Sequence, residues 1–355
     1  MEFTSIFFSI LASFIVSATA TAFSLPLMRS LKILDDPKKH KHPAIIHKKP
    51  IPRGGGIPLF IGMFIPAMLF LPFTPMVMVL FLSAFIALIV GVLDDKYDIS
   101  PYLRFGVNIF CAILVVWAGT NIPFITNPLG GILHLDKVIL PFFTYTFNLT
   151  SIIAIIWIVW VTNMINWSTG VDGQMPGIVA ISAIVIGILS LRFPISDENT
   201  FIAATLSFII AGSSLGFLLF NFYPARIFPG YGATAMYMLL AVVSILSGVK
   251  LATAIMVMAI PMIDGIVTIT RRIATGHSPF KHDNKHFHHL LLRLGLDAPR
   301  IALFYWIVSA IFGLVSLMLP SRGKLFAILM IAIVTGGAIL ALQFLMKGSN
   351  DKKSI

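Results

Sequence analysis

Long apolar runs, separated by short polar segments, fill almost the whole chain. A membrane-spanning helix needs roughly 20 mostly apolar residues, whereas the strands of a membrane barrel give short segments of alternating polarity. The runs therefore predict an all-α polytopic membrane protein with about eleven transmembrane helices. They lie near 4–27, 56–73, 76–93, 104–120, 149–165, 174–191, 200–222, 233–248, 250–270, 300–319 and 324–346.

The first run and the longest outer connection each need a separate interpretation. Ala18-Thr19-Ala20 resembles a signal-peptide cleavage site, but the chain begins Met-Glu-Phe without the positive charges of a signal peptide. A retained helix is therefore favoured over a cleaved signal.

The connection 121–148 is rich in Pro and Gly, which predicts a small hairpin at the membrane surface.

The composition supports the membrane class and excludes several others. Of the residues, 58% are hydrophobic and only 11% are charged. A soluble domain carries roughly a quarter of charged residues, so soluble globular, disordered and fibrous proteins are excluded. Cys111 is the single cysteine, which excludes a disulfide framework and a thiolate metal site.

The basic residues predict the orientation in the membrane. The net charge is +11, from 25 Lys and Arg against 14 Asp and Glu, and both 28–55 and 271–300 are strongly basic. The span count puts these two segments on one side, which the positive-inside rule makes cytoplasmic. We therefore expect an outside N-terminus, a cytoplasmic C-terminus and one membrane domain over 1–355. The cytoplasmic loops are expected near 28–55, 94–103, 166–173, 223–232 and 271–300.

Acidic residues concentrate at the predicted cytoplasmic ends of the spans. Asp94 and Asp95 close the third span, Asp172 follows the fifth, and Asp264 lies inside the ninth. Adjacent carboxylates at a helix C-terminus repel each other and the helix dipole, so they need a cation or hydrogen-bond donors. Mg²⁺ is the expected cation, with Mn²⁺ left open. The midplanes hold almost no charge, which disfavours a transporter.

Histidines cluster in the last predicted cytoplasmic loop, where His286, His288 and His289 fall within Lys-His-Phe-His-His. A zinc site that uses these histidines or His40, His42 and His47 of the first loop is disfavoured, because no cysteine accompanies them and basic residues accompany both groups. Contacts to phosphate groups fit the surrounding charge better. A cationic interfacial site with an acid-bound metal suits phosphoryl transfer between two anions, one arriving from water and the other from lipid.

Five ordered blocks of polar and glycine residues carry the candidate chemistry, and all of them fall in predicted cytoplasmic segments. They are Asp-Asp-Pro at 35–37 with Pro-Ile-Pro-Arg-Gly-Gly-Gly at 50–56, Gly-Val-Leu-Asp-Asp at 91–95 followed by Arg104, Asn-Met-Ile-Asn-Trp-Ser-Thr-Gly-Val-Asp-Gly at 163–173, Phe-Pro-Gly-Tyr-Gly-Ala-Thr at 228–234, and Ser-Pro-Phe-Lys-His-Asp-Asn-Lys-His-Phe-His-His-Leu-Leu-Leu-Arg-Leu-Gly at 278–295.

With these blocks the chain resembles the polyprenyl-phosphate N-acetylhexosamine-1-phosphate transferases. The resemblance implies transfer of a sugar phosphate from a UDP-N-acetylhexosamine to polyprenyl (undecaprenyl) phosphate, with release of UMP and a need for Mg²⁺. The last block is similar to the N-acetylglucosamine branch, which begins O-antigen (lipopolysaccharide) and teichoic acid synthesis. The alternatives are the phospho-N-acetylmuramoyl-pentapeptide transferase of peptidoglycan synthesis and a non-catalytic relative that binds lipid phosphate or nucleotide.

The resemblance also implies roles for individual residues. Asp94 would deprotonate or contact the lipid phosphate, supported by Asp95, while Phe228 would stack on uracil. The nucleotide pocket would be lined by Asn163, Asn166 and Asp172, and the pyrophosphate would be held by His286, His288 and His289. Further substrate contacts would come from Lys48, Lys49, Arg53 and Arg104. The candidate metal ligands are Asp94, Asp95, Asp172 and Asp264. The implied setting is the plasma membrane, with the lipid bilayer as partner, no nucleic acid, and a homodimer left open.

Two positions depart from the family pattern. The chain has Thr169 and Tyr231 where the family carries Asp, and the second of these is the family's principal metal ligand. A neutral phenol is a poor Mg²⁺ ligand compared with a carboxylate. Either another carboxylate holds the metal, or the donor site has changed, or the chain is not catalytic. The other polar motif positions survive, so a divergent but active enzyme is favoured.

Overall fold

The protein is built almost entirely from α-helices. The computed structural model describes residues 2–38, 49–127, 131–142, 145–168, 170–248, 250–280 and 283–351. Within these ranges the helices are α1 (Glu2–Ser30), α2 (Gly56–Phe70), α3 (Pro75–Tyr97), α4 (Pro101–Trp117), α5 (Leu149–Ser168), α6 (Gln174–Ser190), α7 (Glu198–Asn221), α8 (Thr234–Leu246), α9 (Leu251–Val257), α10 (Ala259–Ala274), α11 (Phe287–Arg293), α12 (Ala298–Met318) and α13 (Ser321–Asp351).

Several of these helices can cross a membrane. By length and apolar composition, six helices in the described ranges qualify, and the bent pair α9–α10 raises the number to seven if it forms one span. The predicted multi-pass, all-α membrane protein is thus confirmed. Every predicted apolar run coincides with helical structure, but α2, α4, α6 and the segment Tyr231–Leu246 are shorter than a full span.

The predicted span 250–270 is not one straight helix. The axes of α9 and α10 are bent by 83° where they meet. Pro261, in the first turn of α10, has no N–H to donate to the carbonyl of Val257, which explains the break. The apolar pattern continues across this point, so hydropathy alone could not reveal the bend.

Small side chains let α1 pack tightly along α7. The Ser13 hydroxyl donates to the carbonyl oxygen of Ile209 at 2.6 Å, and the Ser17 hydroxyl donates to that of Ser213 at 2.7 Å. A Cβ at Gly212 or Gly216 would collide with the backbone of α1. Small residues and hydroxyl hydrogen bonds of this kind hold helices together where lipid removes the hydrophobic driving force.

Short strands occupy the connections between helices. The segment 121–148 contains two antiparallel hairpins, one formed by β3 (Phe124–Thr126) and β4 (Ile132–His134) and the other by β5 (Ile139–Phe142) and β6 (Tyr145–Asn148). The sequence predicted one small hairpin here. At the other end of the bundle, β1 (Leu34–Asp35) pairs with β2 (Ile51–Pro52), and Arg53 forms a parallel bridge with Phe228.

The five sequence blocks meet at one end of the bundle. Helices joined by short connections run antiparallel, so the C-terminal ends of α3, α5 and α7 lie beside the N-terminal ends of α4, α6 and α8. Glycines bring the backbones close there: a Cβ at Gly56 or at Gly91 would collide with the backbone of Gly232. The glycine run 54–56 therefore serves close packing, and the Gly55 N–H donates to the carbonyl oxygen of Phe228 at 3.0 Å.

Candidate active site

The Asp94–Asp95 pair at the C-terminal end of α3 is buried and fully engaged. Asp94 accepts hydrogen bonds from Nη1 of Arg104 at 2.8 Å and from the backbone N–H of Ile99 at 2.9 Å. Asp95 forms an ion pair with Nε of Arg53 at 3.0 Å. The backbone N–H groups of 231 and 232 also donate to Asp95, at 2.8 and 3.4 Å. Guanidinium and amide donors thus supply the stabilisation that two adjacent carboxylates require.

The Arg53 guanidinium reaches Asp95 from the loop before α2. Its side chain keeps 37% of its surface exposed, while the Asp95 side chain is fully covered. Burial alone would lower the pKa of Arg53, but the negative charge of Asp95 and of neighbouring aspartates outweighs it and raises that pKa. Arg53 is therefore a permanently positive group between the aspartate and the solvent.

Tyr231 occupies the centre of a hydrogen-bonded amide network. Its phenol accepts from Nδ2 of Asn108 at 3.0 Å, and the guanidinium of Arg104 lies 4.9 Å from the centre of its ring. The same Asn108 amide approaches Oδ1 of Asn163 at 3.5 Å. Asn108 was missed in the sequence analysis, although an amide in the middle of an apolar helix is costly and is therefore a signal in itself.

The third block forms a tight turn between α5 and α6. Gln174 accepts from the backbone N–H groups of Gly170 and Val171 at 3.0 and 3.2 Å, and its own amide donates to the carbonyl oxygen of Ser168 at 3.1 Å. Asp172 accepts from the backbone N–H of Ala225 at 2.9 Å, which ties this turn to the segment after α7. Thr169 lies outside the described residues.

The three predicted histidines lie together at the start of α11. The rings of His286 and His288 are parallel, with centroids 5.8 Å apart, and the centroid of His289 is 4.2 Å from that of His288. Burial, together with the neighbouring histidines, holds the pKa of His288 well below its usual range. Burial and the charges of His286 and Arg293 lower the pKa of His289 to about 4, so both rings are neutral at pH 7.

His288 has a buried nitrogen without a partner. Its Nδ1 is shielded from solvent and makes no hydrogen bond to any of the described residues. Buried polar atoms are almost always hydrogen-bonded, and leaving one unsatisfied costs about 1–3 kcal/mol. The other ring nitrogen donates to the Ser168 backbone, so Nδ1 of the neutral ring is an acceptor, and a hydrogen-bond donor of a ligand in the adjoining cavity would satisfy it.

Asp264 holds His286 and the start of α11 in position. It is completely buried in α10, where its carboxylate accepts from Nδ1 of His286 at 2.8 Å and from the backbone N–H of Phe287 at 3.0 Å. The carboxylate can only accept, so the Nδ1 of His286 carries the hydrogen. Asp264 therefore fixes the tautomer and the position of His286.

Asp283 orders the loop that precedes the histidines. It accepts from Nη2 of Arg271 at 2.8 Å and from Nε of Arg272 at 2.9 Å. Burial would raise the pKa of Asp283, but the Lys285 backbone N–H and the two arginines outweigh it and lower that pKa to about 2. Arg272 in the last turn of α10 and Phe280 in this loop both line the cavity, and neither was predicted as a site residue from the sequence.

A cavity of about 1050 Å³ connects these groups. Its wall includes Lys49, Asn163, Asn166, Asp172, Phe228, His286, His288 and His289 from the predicted site. Arg53 and Arg104, which were also predicted, lie in the wall too, and further basic side chains there are Arg29, Arg226 and Arg272. The predicted Asp94, Asp95 and Asp264 lie behind this wall and do not line it, and Lys48 is outside the described residues.

The carboxylates expected to bind magnesium are already engaged by other groups of the protein. No group of three or more His, Cys, Asp or Glu in the described part of the chain is arranged to hold a metal ion. Asp94 and Asp95 are engaged by guanidinium groups, Asp264 by His286, and Asp172 by a backbone N–H. As they stand, these side chains do not fit a shared magnesium ion, and the magnesium requirement stays a prediction.

Comparison with known proteins finds relatives that are named for the transfer of N-acetylglucosamine phosphate to polyprenyl phosphates. A decaprenyl-phosphate N-acetylglucosaminephosphotransferase of Mycobacterium leprae is 30% identical over 342 residues, which cover 86% of this chain and 83% of the relative. A probable undecaprenyl-phosphate N-acetylglucosaminyl 1-phosphate transferase of Bacillus subtilis is 29% identical over 327 residues, 88% of this chain and 85% of the relative. An undecaprenyl-phosphate alpha-N-acetylglucosaminyl 1-phosphate transferase of Haemophilus influenzae is 29% identical over 324 residues, 87% of this chain and 86% of the relative.

Fold, cavity and relatives together define an integral membrane phosphotransferase. More specifically, the chain belongs to glycosyl transferase family 4, whose pattern matches residues 77–248. The family and the enzyme class predicted from the sequence are thus confirmed. The matched region contains the Asp pair, the third block and Tyr231, while the histidine loop lies beyond it.

Proposed function

We propose that the protein transfers N-acetylglucosamine 1-phosphate from UDP-N-acetylglucosamine to a polyprenyl phosphate, giving a polyprenyl-diphosphate sugar and UMP. The observation that carries this proposal is the cationic, histidine-lined cavity in a chain whose relatives are named for this transfer to undecaprenyl or decaprenyl phosphate. The product would begin a cell-envelope glycan.

The transfer exchanges one phosphoanhydride bond for another. An oxygen of the lipid phosphate attacks the β-phosphorus of the UDP-sugar, and the bond from that phosphorus to the bridging oxygen breaks, so that UMP leaves with the bond electrons. The reacting groups are all anionic, so positioning and charge neutralisation provide most of the rate increase. Arg53, Arg104 and Arg272 on the cavity wall are suited to this work.

Neutral histidines add directional hydrogen bonds to these charges. Nδ1 of His288 has no partner in the described structure and lies in a ring whose pKa is strongly lowered. Because the other ring nitrogen donates to the Ser168 carbonyl, Nδ1 of the neutral ring would accept a hydrogen bond from an N–H or O–H group of the UDP-sugar. Asp264 keeps the parallel ring of His286 in place beside it.

An aromatic patch beside the cavity offers a route for the polyprenyl tail. The Phe280 ring contacts those of Tyr102, Phe105 and Trp167, with centroid distances of 5.4, 5.1 and 6.2 Å. Tyr102 and Leu103 are more than half exposed at the start of α4, where lipid would surround them. The tail would leave the cavity along this patch, while Phe228 on the cavity wall would stack on the uracil.

The proposed topology has eleven membrane crossings, with the cavity on the cytoplasmic side. Seven long spans, with the bent pair counted as one, and four shorter apolar helices would give eleven crossings of the plasma membrane. The cavity would then face the cytoplasm, where UDP-sugars are made. In a Cys111→Ser background, Lys137→Cys should react with an impermeant thiol reagent in whole cells, and Lys285→Cys only after permeabilisation. Reaction at position 285 in intact cells would contradict this orientation. A homodimer stays a prediction.

The function can be tested with purified protein and defined lipids. Detergent-solubilised protein should convert UDP-N-acetylglucosamine and undecaprenyl phosphate into a lipid-linked sugar with equimolar UMP, and omission of the lipid should stop both. A panel that includes UDP-N-acetylmuramoyl-pentapeptide tests the peptidoglycan alternative. Absence of UMP and lipid product with every donor, in protein that remains folded, would refute the proposed transfer.

A non-catalytic relative is the second candidate. Tyr231 motivates it, because a buried neutral phenol stands where the family resemblance implies a carboxylate. Such a protein would bind UMP or lipid phosphate in the same cavity without turnover. Nucleotide binding without product in the assay above would favour this candidate.

A further inference from the structure

Two arginines stand between the buried aspartates and the cavity. Arg53 and Arg104 line the cavity wall, whereas Asp94 and Asp95, to which they are paired, do not. The Asp94 and Asp95 side chains are essentially inaccessible, with 1% and 0% of their surface exposed. A ligand on this side of the cavity would therefore meet the two guanidinium groups before Asp94 or Asp95, and the carboxylates that do line the wall, Asp35, Asp172 and Asp283, lie elsewhere along it.

The guanidinium groups retain donors for a ligand. Among the described hydrogen bonds and ion pairs, Asp94 uses Nη1 of Arg104 and Asp95 uses Nε of Arg53. A guanidinium carries five N–H donors in a planar fork that matches the oxygens of a phosphate. The ring of Tyr231 supports Arg104 from one side at 4.9 Å, so that this fork is held in position.

The two arginines would oppose the binding of a divalent cation at Asp94 and Asp95. It would have to displace Arg104 from Asp94 or Arg53 from Asp95, and the displaced positive groups would then repel it. The phenol of Tyr231 already accepts a hydrogen bond from Asn108, and a neutral phenol is a poor ligand for magnesium. The charge that a metal would bring is already present in the two arginines.

We infer that Arg53 and Arg104 supply the positive charge for the phosphate groups in this cavity, so that the protein binds its nucleotide substrate without a divalent cation. This inference rests on the proposed function, because it takes the cavity as the site of the UDP-sugar. It differs from the expectation of a magnesium requirement, which came from the adjacent Asp94 and Asp95 carboxylates as well as from the family resemblance.

Nucleotide binding separates the two cases directly. UMP is titrated into the purified protein by calorimetry, once with excess EDTA and once with Mg²⁺. The inference predicts dissociation constants that agree within about twofold, since no metal takes part in binding. A tenfold or larger loss of affinity in EDTA would overturn it, and so would the absence of UMP binding under both conditions.

A spectroscopic probe reports on the metal without using activity. Mn²⁺ added to the wild-type protein with UMP should keep the electron paramagnetic resonance spectrum that it has with UMP alone. The double variant Tyr231→Asp, Arg104→Gln provides a carboxylate and removes the competing guanidinium, so it should bind Mn²⁺. A protein-bound Mn²⁺ signal in the wild type would contradict the inference, whether or not the double variant folds.

Single variants test the arginines themselves. Arg104→Gln and Arg53→Gln should each weaken UMP binding in EDTA by about 10- to 100-fold, the loss of one charge-assisted contact. Arg104→Lys keeps the charge and should lose less. Lys137→Gln is the matched control, because it removes a positive charge from an exposed segment outside the cavity. Unchanged binding in both arginine variants would refute their role.

The transferase assay distinguishes this inference from the proposed function. Product formed with Mg²⁺, together with loss of UMP binding in EDTA, would leave the function standing and remove the inference. Product formed equally in EDTA would support both. If UMP binds without metal and no donor gives product, the charge arrangement stands and the transfer reaction does not.

Discussion

The backbone of Gly170 lies directly against the ring of His288. A Cβ at position 170 would collide with Nε2 of that ring. The absence of a side chain at position 170 therefore has a steric function. It lets the turn between α5 and α6 contact the histidine loop, which comes from a distant part of the chain.

Gly170→Ala should displace His288 and lower transfer activity by about 10- to 100-fold, because misplacing a contact by about 1 Å costs this much. Thermal stability should fall as well, since the ring is buried in packed surroundings. The measurement is the rate of UMP release under saturating lipid. Gly106→Ala is the control, because a Cβ at that position would meet nothing within 4 Å and alanine favours a helix. Equal activity in both variants would show that the position of His288 is unimportant.

Asp264→Asn should lower kcat and change KM much less, because Asp264 lies behind the cavity wall and acts through His286. An asparagine removes the negative charge that fixes the Nδ1–H tautomer, and its amide can present a donor where an acceptor is needed. The free energy of unfolding should fall by about 1–3 kcal/mol.

Steady-state kinetics and thermal denaturation test this role for Asp264. Asp297→Asn, at the exposed start of α12, is the matched control, since asparagine is also a good helix cap. A rise in KM with kcat intact would instead point to a direct substrate contact.

Particular residues show how much the sequence could predict. Apolar runs are local signals, so the helices could be predicted from them, and the charge conflict at Asp94 and Asp95 correctly indicated that nearby donors were required. The identity of those donors could not be predicted, because the pairing of Arg53 with Asp95 depends on how separate helices pack. Asn108 differs from these donors, because an amide in the middle of an apolar helix is a local signal and the residue could have been predicted from the sequence.

Lowering the pH should destabilise the protein through its buried histidines. The pKa of His289 is lowered from 6.5 to about 4, so below pH 6.5 the unfolded chain takes up a proton that the folded chain does not. Stability is therefore lost as the pH falls from about 6.5 towards 4, by up to about 3 kcal/mol from this one residue.

Thermal denaturation in detergent at several pH values measures this effect. His289→Gln, which cannot be protonated in this range, should flatten the dependence on pH. A wild-type Tm that rises between pH 6.5 and pH 4.5 would contradict the assigned direction.

Asp283→Asn should release the loop that holds Arg272 on the cavity wall. The folded protein holds the pKa of Asp283 at about 2 against an ordinary 3.8, so its stabilisation is complete above about pH 4 and is lost as the pH falls through 2. At pH 7 the variant should therefore lose about 2 kcal/mol of stability. The KM for the UDP-sugar should rise, because Arg271 and Arg272 both lose their carboxylate partner. Asp136→Asn, on an exposed side chain near His134, removes the same charge and should change neither quantity. If the two variants behave alike in denaturation and kinetics, Asp283 does not organise this part of the site.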